Sequence, residues 1–386
     1  MKLIAERMDQ FAVHFFASLE TKIRRMQSEG CDIIRLDVGS PDLPPAPHII
    51  EALYRSALAP DHHGYQPHAG QPGLRVAWAN QYRRLHGVVL DPESEIVPLM
   101  GSKEGIAHFP LAVLNPGDVA FVPDPGYVTY SRSTLLAGGE PYSLPLLPDA
   151  DFLPDLKSIP PTTLRRARLI WLNYPNNPTA ATASLEFFAQ VVHFARQHNL
   201  LLCHDAAYTQ VTFDGYRAPS ILEIPGAKEV AVEFNTLSKS HNMPGWRVGA
   251  VVGNAQVLRT FFTLKTNLDS GHFLAVTEAA EAALTGDQDW LPGRNATYQQ
   301  RRDLVIASLH AHGLEARIPR ASIYIWCPVP QGKSSVEFAT ALLDKAHVSV
   351  TPGTVFGNHG EGYVRISLTT PTERIAEAMQ RLADWI

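Results

Sequence analysis

Four short groups of polar residues have the types and positions that chemistry on a small organic molecule requires. Ser102 and Lys103 follow a glycine at a predicted helix start, and Asn177 lies in a proline-rich loop. Asp205 follows a buried apolar run, and Lys239 lies between two serines beyond another such run. Together they offer backbone N–H groups for an anion, an amide, a carboxylate and an amine that could act as a nucleophile.

Each of these residues has an ordinary explanation when it is taken alone. A lysine such as Lys239 is usually solvated, Asp205 could cap a helix, and Asn177 could form a turn. Arg247 follows Lys239 by eight residues, at the start of the next predicted strand, and could give a phosphate a bidentate partner. Because these groups follow several buried strands in one chain, their joint occurrence favours the chemical interpretation.

Pyridoxal phosphate is the cofactor whose needs these residues match. It requires an anion cradle for its phosphate, an amine that forms a Schiff base with its aldehyde, a carboxylate on the ring nitrogen and a donor beside the ring oxygen. Lys239 would supply the amine and Asp205 the carboxylate. The turn at Ser102 and Lys103, together with Arg247, would supply the cradle.

These residues are expected at one edge of an open α/β sheet. Apolar runs predict buried strands at residues 95–99, 119–122, 168–173, 200–204, 230–234 and 247–252. Amphipathic patterns predict helices at residues 73–86, 104–114, 185–197 and 273–284. Pro98 weakens the first strand, because proline cannot donate to a central ladder. In such sheets ligands bind outside the carboxyl ends of the strands, where these polar groups fall.

The C-terminal part has a different pattern and predicts a smaller α+β unit. Helices are expected at residues 294–312, 336–346 and 373–386, and strands at residues 322–329, 348–351 and 363–367. The N-terminal segment is expected to pack against this unit. We therefore expect a large domain over residues 46–290, with a mostly parallel sheet covered by helices. Residues 1–45 and 291–386 would form a small α+β domain.

Composition and charge disfavour several classes of function. The 33 Lys and Arg residues against 38 Asp and Glu residues give a formal charge of −5, so binding of nucleic acid through its phosphates is disfavoured. No apolar run approaches the ~20 residues of a membrane helix. The three cysteines are widely spaced, and the histidines at 62, 63 and 68 lack partners for a zinc-like set. We therefore expect a cytoplasmic protein without a metal site.

The sequence resembles the class I/II, fold-type I aminotransferases from end to end. Its most specific part, residues 238–249, is similar to the family's S-K-x(3)-M-x-G-W-R-x-G stretch. This resemblance implies that Lys239 forms the Schiff base with pyridoxal phosphate. It also implies that Ser238 and Arg247 contact the cofactor, with Arg247 on the phosphate.

Two further stretches carry residues for the cofactor ring. Residues 173–179 resemble the N-x-P-x-N-P-T-G motif, which implies that Asn177 lies beside the ring hydroxyl and near the substrate. Ala180 stands where that motif has glycine, a change that should affect loop conformation more than chemistry. The D-x-x-Y element is matched by Asp205 and Tyr208, which implies contacts to the ring nitrogen and the ring oxygen.

Four single residues complete the resemblance. Tyr127 matches the tyrosine that stacks on the ring, and Arg365 the arginine that binds the substrate α-carboxylate. Gly39 lies in a G-x-P-D loop over the substrate. Tyr65 matches a tyrosine that reaches the phosphate of the neighbouring subunit, which implies a homodimer with shared active sites. Taken alone, Tyr65 and Tyr127 would be ordinary surface or core aromatics.

Within the family, the resemblance is closest to the LL-diaminopimelate aminotransferase-like subgroup, through residues 101–108 and 265–271. The second stretch implies that Asn267 contacts substrate. Where that subgroup tends to carry a tyrosine near the N-terminus, this chain has His14, which would present an imidazole to the substrate. The alternative is that His14 lies on a partly buried helix face.

The resemblance implies an enzyme that moves an amino group from an amino acid to a 2-oxo acid with ping-pong kinetics, and LL-diaminopimelate with 2-oxoglutarate is one candidate pair. Lys239, Asp205 and Tyr208 would be its catalytic residues. A pyridoxal-phosphate-dependent lyase or decarboxylase on the same fold would use the same motifs, so that alternative stays open. A cofactor-dependent transcription regulator would need a basic recognition helix, which the stretch before Gly39 does not show.

Overall fold

The computed structural model describes residue 3, residues 5–11 and residues 15–386. The prediction for His14 therefore lies outside the described residues. The helices are α1 (Phe15–Ser28), α2 (Pro47–Leu58), α3 (Pro72–His86), α4 (Ser102–Val113), α5 (Thr129–Leu136), α6 (Pro161–Leu164), α7 (Leu185–His198), α8 (Leu237–Ser240), α9 (Ala255–Lys265), α10 (Leu274–Thr285), α11 (Trp290–Ala311), α12 (Ser335–Ala346) and α13 (Thr372–Trp385). The strands are β1 (Ile34–Arg35), β2 (Ile96–Leu99), β3 (Val119–Asp124), β4 (Glu140–Pro145), β5 (Ala167–Asn173), β6 (Leu201–Asp205), β7 (Ala231–Thr236), β8 (Gly249–Gly253), β9 (Tyr324–Pro328), β10 (Val348–Ser349), β11 (Thr351–Pro352) and β12 (Tyr363–Ser367).

A seven-stranded sheet with the order β2-β8-β7-β6-β5-β3-β4 forms the centre of the fold. Only β8 runs antiparallel to its neighbours, so the predicted α/β fold with a mostly parallel sheet is confirmed. Pro98 is accommodated because β2 is an edge strand. The sequence analysis missed the opposite edge strand, β4, because only one of its six residues is buried and it has no apolar run.

The continuous apolar runs reflect burial on both faces of the sheet. Along β5, Ile170 and Leu172 belong to the cluster that includes residues of α3, α7 and α10. Leu169 and Trp171 belong to a second cluster with residues of α4, α5 and α9. Because successive side chains of a strand point to opposite faces, both sets must be apolar. This packing fixes the strand ends that carry the polar residues.

Two smaller sheets are formed by the N-terminal strand β1 and by strands of the C-terminal part. The short strand β1 pairs in parallel with β10, and β11-β12-β9 form an antiparallel sheet. Ile34 and Leu36 share an apolar cluster with residues of α11, α12 and α13, so the N-terminal segment packs against the C-terminal part, as expected. Tyr208 and Phe213, from the loop after β6, join the same cluster. The exact domain boundaries stay a prediction.

No helix among the described residues is long and apolar enough to cross a membrane.

Gly249, at the start of β8, is required by close backbone packing. A Cβ atom there would lie 2.6 Å from the carbonyl oxygen of Asn235 and 2.9 Å from the backbone nitrogen of Ser102. We expect Gly249→Ala to reduce the free energy of unfolding by about 1–3 kcal/mol, because backbone atoms must shift. The melting temperature should therefore fall. Gly245→Ala is the matched control, since a Cβ there meets no atom within 4 Å; equal melting temperatures for the two variants would contradict this reasoning.

Candidate active site

A cavity of about 670 Å³ lies at the carboxyl ends of the central strands. It brings together eleven of the predicted site residues: Gly39, Ser102, Lys103, Tyr127, Asn177, Asp205, Tyr208, Ser238, Lys239, Arg247 and Arg365. Residues from both the central sheet and the smaller C-terminal sheet line it. These side chains are up to several hundred positions apart in sequence, so only the fold places them in one cavity.

The anion-binding end of the cavity is formed by the start of α4 and by Arg247. Gly101 precedes α4 with a φ of +79°, and a Cβ atom there would overlap the Arg247 guanidinium. Arg247 itself has a φ of +59° and donates to the carbonyl of Pro244 at 2.7 Å. It therefore precedes β8 in a turn, rather than beginning the strand as expected. A helix start next to a guanidinium suits a phosphate group.

Lys239 lies at the centre of the cavity, on the single turn α8 that follows β7. Its Nζ donates to the carbonyl of Gly39 at 2.5 Å. Burial lowers the pKa of Lys239 to about 8, with Arg365 and Arg247 adding to this effect and Asp205 opposing it. Near neutral pH an amine with this pKa has a much larger neutral fraction than an ordinary lysine, as a nucleophile or proton carrier requires.

Asp205 ends β6 and has one oxygen without a partner. Its Oδ2 accepts a hydrogen bond from the Tyr130 hydroxyl at 2.7 Å, while Oδ1 is buried with no hydrogen-bond partner among the described residues. Burial raises the pKa of Asp205 to about 6, although Tyr130 acts in the opposite direction. A buried carboxylate oxygen next to a cavity calls for an N–H donor, and a protonated pyridine nitrogen would satisfy it.

A buried ion pair supports β6 behind Asp205. The two ring nitrogens of His204 lie 2.8 Å from Glu233 Oε2 and 3.0 Å from the carbonyl oxygen of Tyr174. His204 therefore connects β6 with Glu233 of β7 and with Tyr174 just after β5. Burial alone would raise the pKa of Glu233, but the hydrogen bond and charge of His204 hold it below its usual value. This pair anchors the loop that leads from β5 to Asn177.

Arg365 is held between two aromatic rings at the substrate side of the cavity. Its guanidinium carbon lies 4.1 Å from the ring centre of Tyr324 and 4.7 Å from that of Phe356. It donates to Asn177 Oδ1 and to the carbonyl of Asp37, each at 2.9 Å. Its Nε is buried with no partner among the described residues. The guanidinium therefore keeps donors for a carboxylate.

Tyr208 and Tyr127 contribute neutral phenols to the cavity. The Tyr208 hydroxyl lies 3.2 Å from the hydroxyl of Tyr324. Burial raises the pKa of Tyr208 well above its usual value, so its hydroxyl stays protonated and can donate. Burial also raises the pKa of Tyr127, which packs edge-on against Tyr130 with ring centres 5.7 Å apart.

A close approach explains the glycine of the G-x-P-D loop. A Cβ atom at Gly39 would overlap the hydroxyl of Tyr324, so a larger residue would push the loop away from Lys239. The sequence analysis missed Tyr130 and Tyr324, and it also missed other residues that line the cavity, such as Glu20 and Arg35. The position of Tyr130, three residues after Tyr127, was the only sequence signal for it.

Two predicted residues lie outside the cavity of this chain. Tyr65 is 96% exposed. Asn267 is exposed too, and its side-chain amide donates to the carbonyl of Thr263 one turn earlier, at 2.9 Å. The prediction that Asn267 contacts substrate is therefore not met within one chain, because this residue, in the turn after α9, does not line the cavity.

Comparisons with known proteins agree with one another. Residues 31–382 match the family model for aminotransferase class I and II. The chain is 50% identical to the LL-diaminopimelate aminotransferase of Moorella thermoacetica, covering 98% of this chain and 97% of the relative. It is 51% identical to that of Desulforudis audaxviator, covering 98% and 96%. The substrate-bound BacF structure from Bacillus subtilis has a TM-score of 0.96 at 36% identity, covering 100% of this chain and 98% of that one.

The pKa of Asp205 predicts a pH-dependent stability difference. A carboxyl with a folded pKa of about 6 and an unfolded pKa of about 4 destabilises the fold increasingly as pH rises from 4 to 6. In the cofactor-free protein, Asp205→Asn should therefore gain stability relative to the wild type between pH 5 and pH 7.5, by on the order of 1 kcal/mol. Urea unfolding at both pH values measures this difference.

Asp61→Asn is the control for this experiment, because that carboxylate is 88% exposed. Its stability difference from the wild type should be similar at the two pH values. A pH-independent difference for Asp205→Asn would contradict the raised pKa of Asp205.

Proposed function

The chain belongs to the class I and II aminotransferases, and we propose that it moves the amino group of a diamino dicarboxylate such as LL-diaminopimelate to a 2-oxo acid, with pyridoxal phosphate as its cofactor. The family uses pyridoxal phosphate. The donor is suggested by relatives about half identical to this chain along nearly its whole length. Their activity favours amino transfer over the lyase or decarboxylase alternative.

The observation that carries the cofactor proposal is that one cavity contains both Lys239 and Asp205, whose Oδ1 has no hydrogen-bond partner among the described residues. The phosphate would lie against the start of α4, with contacts to Ser102, Lys103, Ser238 and Arg247. Asp205 would bind the ring nitrogen. The ring oxygen would be met by Asn177 and Tyr208, and the ring face by Tyr127.

Bound pyridoxal phosphate would supply an aldehyde that joins an amine and a ring that accepts electrons from the substrate Cα. The residues of the chain do the rest. Arg365 binds the α-carboxylate, because it lines the cavity beside two aromatic rings and its Nε has no partner among the described residues. Lys239, with its lowered pKa, removes and returns the proton at Cα. Asp205 keeps a negative charge beside the ring nitrogen, and Tyr208 donates from a neutral hydroxyl.

Replacing Lys239 tests this assignment. We expect Lys239→Ala to lower kcat at least ~100-fold, because the proton carrier at Cα is lost. Borohydride treatment of the wild-type holoenzyme should attach the cofactor to the peptide that contains Lys239, as detected by mass spectrometry, and should attach none in the variant. Lys228→Ala, which alters an ion pair with Glu95 away from the cavity, is the control. Full turnover by Lys239→Ala would overturn the proposed mechanism.

We also infer a homodimer in which Tyr65 of each subunit completes the other subunit's site. The support is that Tyr65 is almost fully exposed, although its family counterpart contacts a phosphate. Nearby on the same surface, the ring of His63 stacks on Phe273, which is itself 41% exposed. Large exposed aromatics grouped in this way favour an interface. Asn267 would reach the neighbouring site in the same manner.

Mixing two defective variants tests the shared site. Tyr65→Ala and Lys239→Ala chains should each be impaired alone, whereas mixed dimers contain one site with both residues intact. Activity should therefore recover after the two variants are unfolded and refolded together, and sedimentation should give the mass of a dimer. No recovery in a mixture that sediments as dimers, or a monomeric wild type, would contradict the shared site.

A further inference from the structure

Three charged residues that line the cavity have no role in the chemistry described so far. They are Glu20 on α1, Arg35 in β1 and Asp37 just after β1. The other charged residues that line it, among those the structure describes, are Lys103, Asp205, Lys239, Arg247 and Arg365. The first three therefore share one continuous cavity with the reaction centre.

Arg35 links the two carboxylates. It binds Asp37 in a bidentate manner, with Nε and Nη2 lying 2.7 Å and 2.8 Å from the two carboxylate oxygens. Its Nη1 donates to Glu20 Oε2 at 3.0 Å. The carbonyl of Asp37 accepts from Arg365. The position of Arg35 is therefore tied through one residue to the arginine that would hold the α-carboxylate.

The side-chain exposures show which of the three residues a ligand can reach. The side chain of Asp37 is 1% exposed, against 28% for Arg35 and 39% for Glu20. Asp37 is therefore a positioning residue that orients Arg35. Glu20 and Arg35 present polar atoms to the cavity.

Both members of the Glu20–Arg35 pair keep hydrogen-bonding capacity. Each oxygen of Glu20 accepts one bond, from Arg24 Nε or from Arg35 Nη1, and a carboxylate oxygen can accept another. Each terminal nitrogen of Arg35 has a second N–H. The pair thus offers acceptors for an ammonium next to donors for a carboxylate.

The charges of these three residues favour a ligand that carries an ammonium group. Within the group, Arg35 offsets Asp37, which leaves the carboxylate of Glu20 in excess at this part of the cavity wall. Arg24 also contacts Glu20, but its side chain is 76% exposed and its charge is screened by solvent. A lone distal carboxylate would meet Glu20 unfavourably, whereas an ammonium beside it would not.

We propose that Glu20 and Arg35 bind the distal head of the amino donor, where a diamino dicarboxylate carries its second ammonium and second carboxylate. Glu20 accepts from the ammonium and Arg35 donates to the carboxylate. This inference rests on the proposed function, because it concerns the donor of the same reaction. It makes Glu20 the residue that distinguishes a diamino donor from one with the same chain and no distal amine.

Two donors that differ only in that amine provide the test. Steady-state kinetics with 2-oxoglutarate would compare LL-diaminopimelate with L-2-aminopimelate, for the wild-type holoenzyme and for Glu20→Gln. We expect the substitution to raise KM for LL-diaminopimelate about ten-fold or more, because a hydrogen bond to an ammonium loses its charge. KM for L-2-aminopimelate should be unchanged or lower.

Glu29→Gln is the matched control, since that exposed glutamate follows the same helix, pairs with Arg25 and does not line the cavity. It should leave KM for both donors unchanged. Arg35→Lys should raise KM for both donors, because both carry the distal carboxylate and the forked geometry is lost.

The outcomes separate this inference from the proposed function. If the wild type uses LL-diaminopimelate but Glu20→Gln affects the two donors equally or not at all, only the inference is overturned. If the wild type transaminates neither donor, the donor assignment itself is overturned, and the distal-head inference with it.

Discussion

The cavity depends on buried charges that the fold brings together without fully pairing them. Asp205 and Arg365 each keep a buried polar atom with no partner among the described residues, and Lys239 contacts a carbonyl rather than a carboxylate. Leaving such groups unsatisfied costs about 1–3 kcal/mol each. A ligand that supplies the missing partners recovers this free energy, so these atoms select what binds in the cavity.

The rest of the structure is needed to hold these charges in place. The central sheet is apolar on both faces, and its packing fixes the ends of β5, β6 and β7. Behind Asp205, His204 and Glu233 form a fully buried ion pair that accepts further hydrogen bonds from Tyr82 and Ser220. A buried pair of this kind is stable only when all of its hydrogen bonds are made. The pair therefore fixes the position of β6 relative to its neighbours.

The family relationship and the cavity answer different parts of the functional question. The relatives place the chain among enzymes that transfer amino groups, and the residues near Lys239 have the chemistry that this reaction needs. Those residues are not expected to distinguish one donor from another, because they act on atoms that every amino acid shares. Discrimination must come from the cavity wall, where Glu20 and Arg35 present opposite charges side by side.

The sequence by itself determined the order of apolar runs and the polar residues that follow them, because both are local patterns. It therefore predicted the α/β sheet and the lysine at its mouth, and with the family resemblance it predicted half of the residues that line the cavity. Only the tertiary structure decided that Tyr130 would bind Asp205, 75 positions away, and that α1 would carry Glu20 to the same cavity. Such contacts depend on how distant elements pack, and no local pattern encodes them. The same holds for Tyr65 and Asn267, because only the fold shows that both are exposed and lie outside the cavity of their own chain.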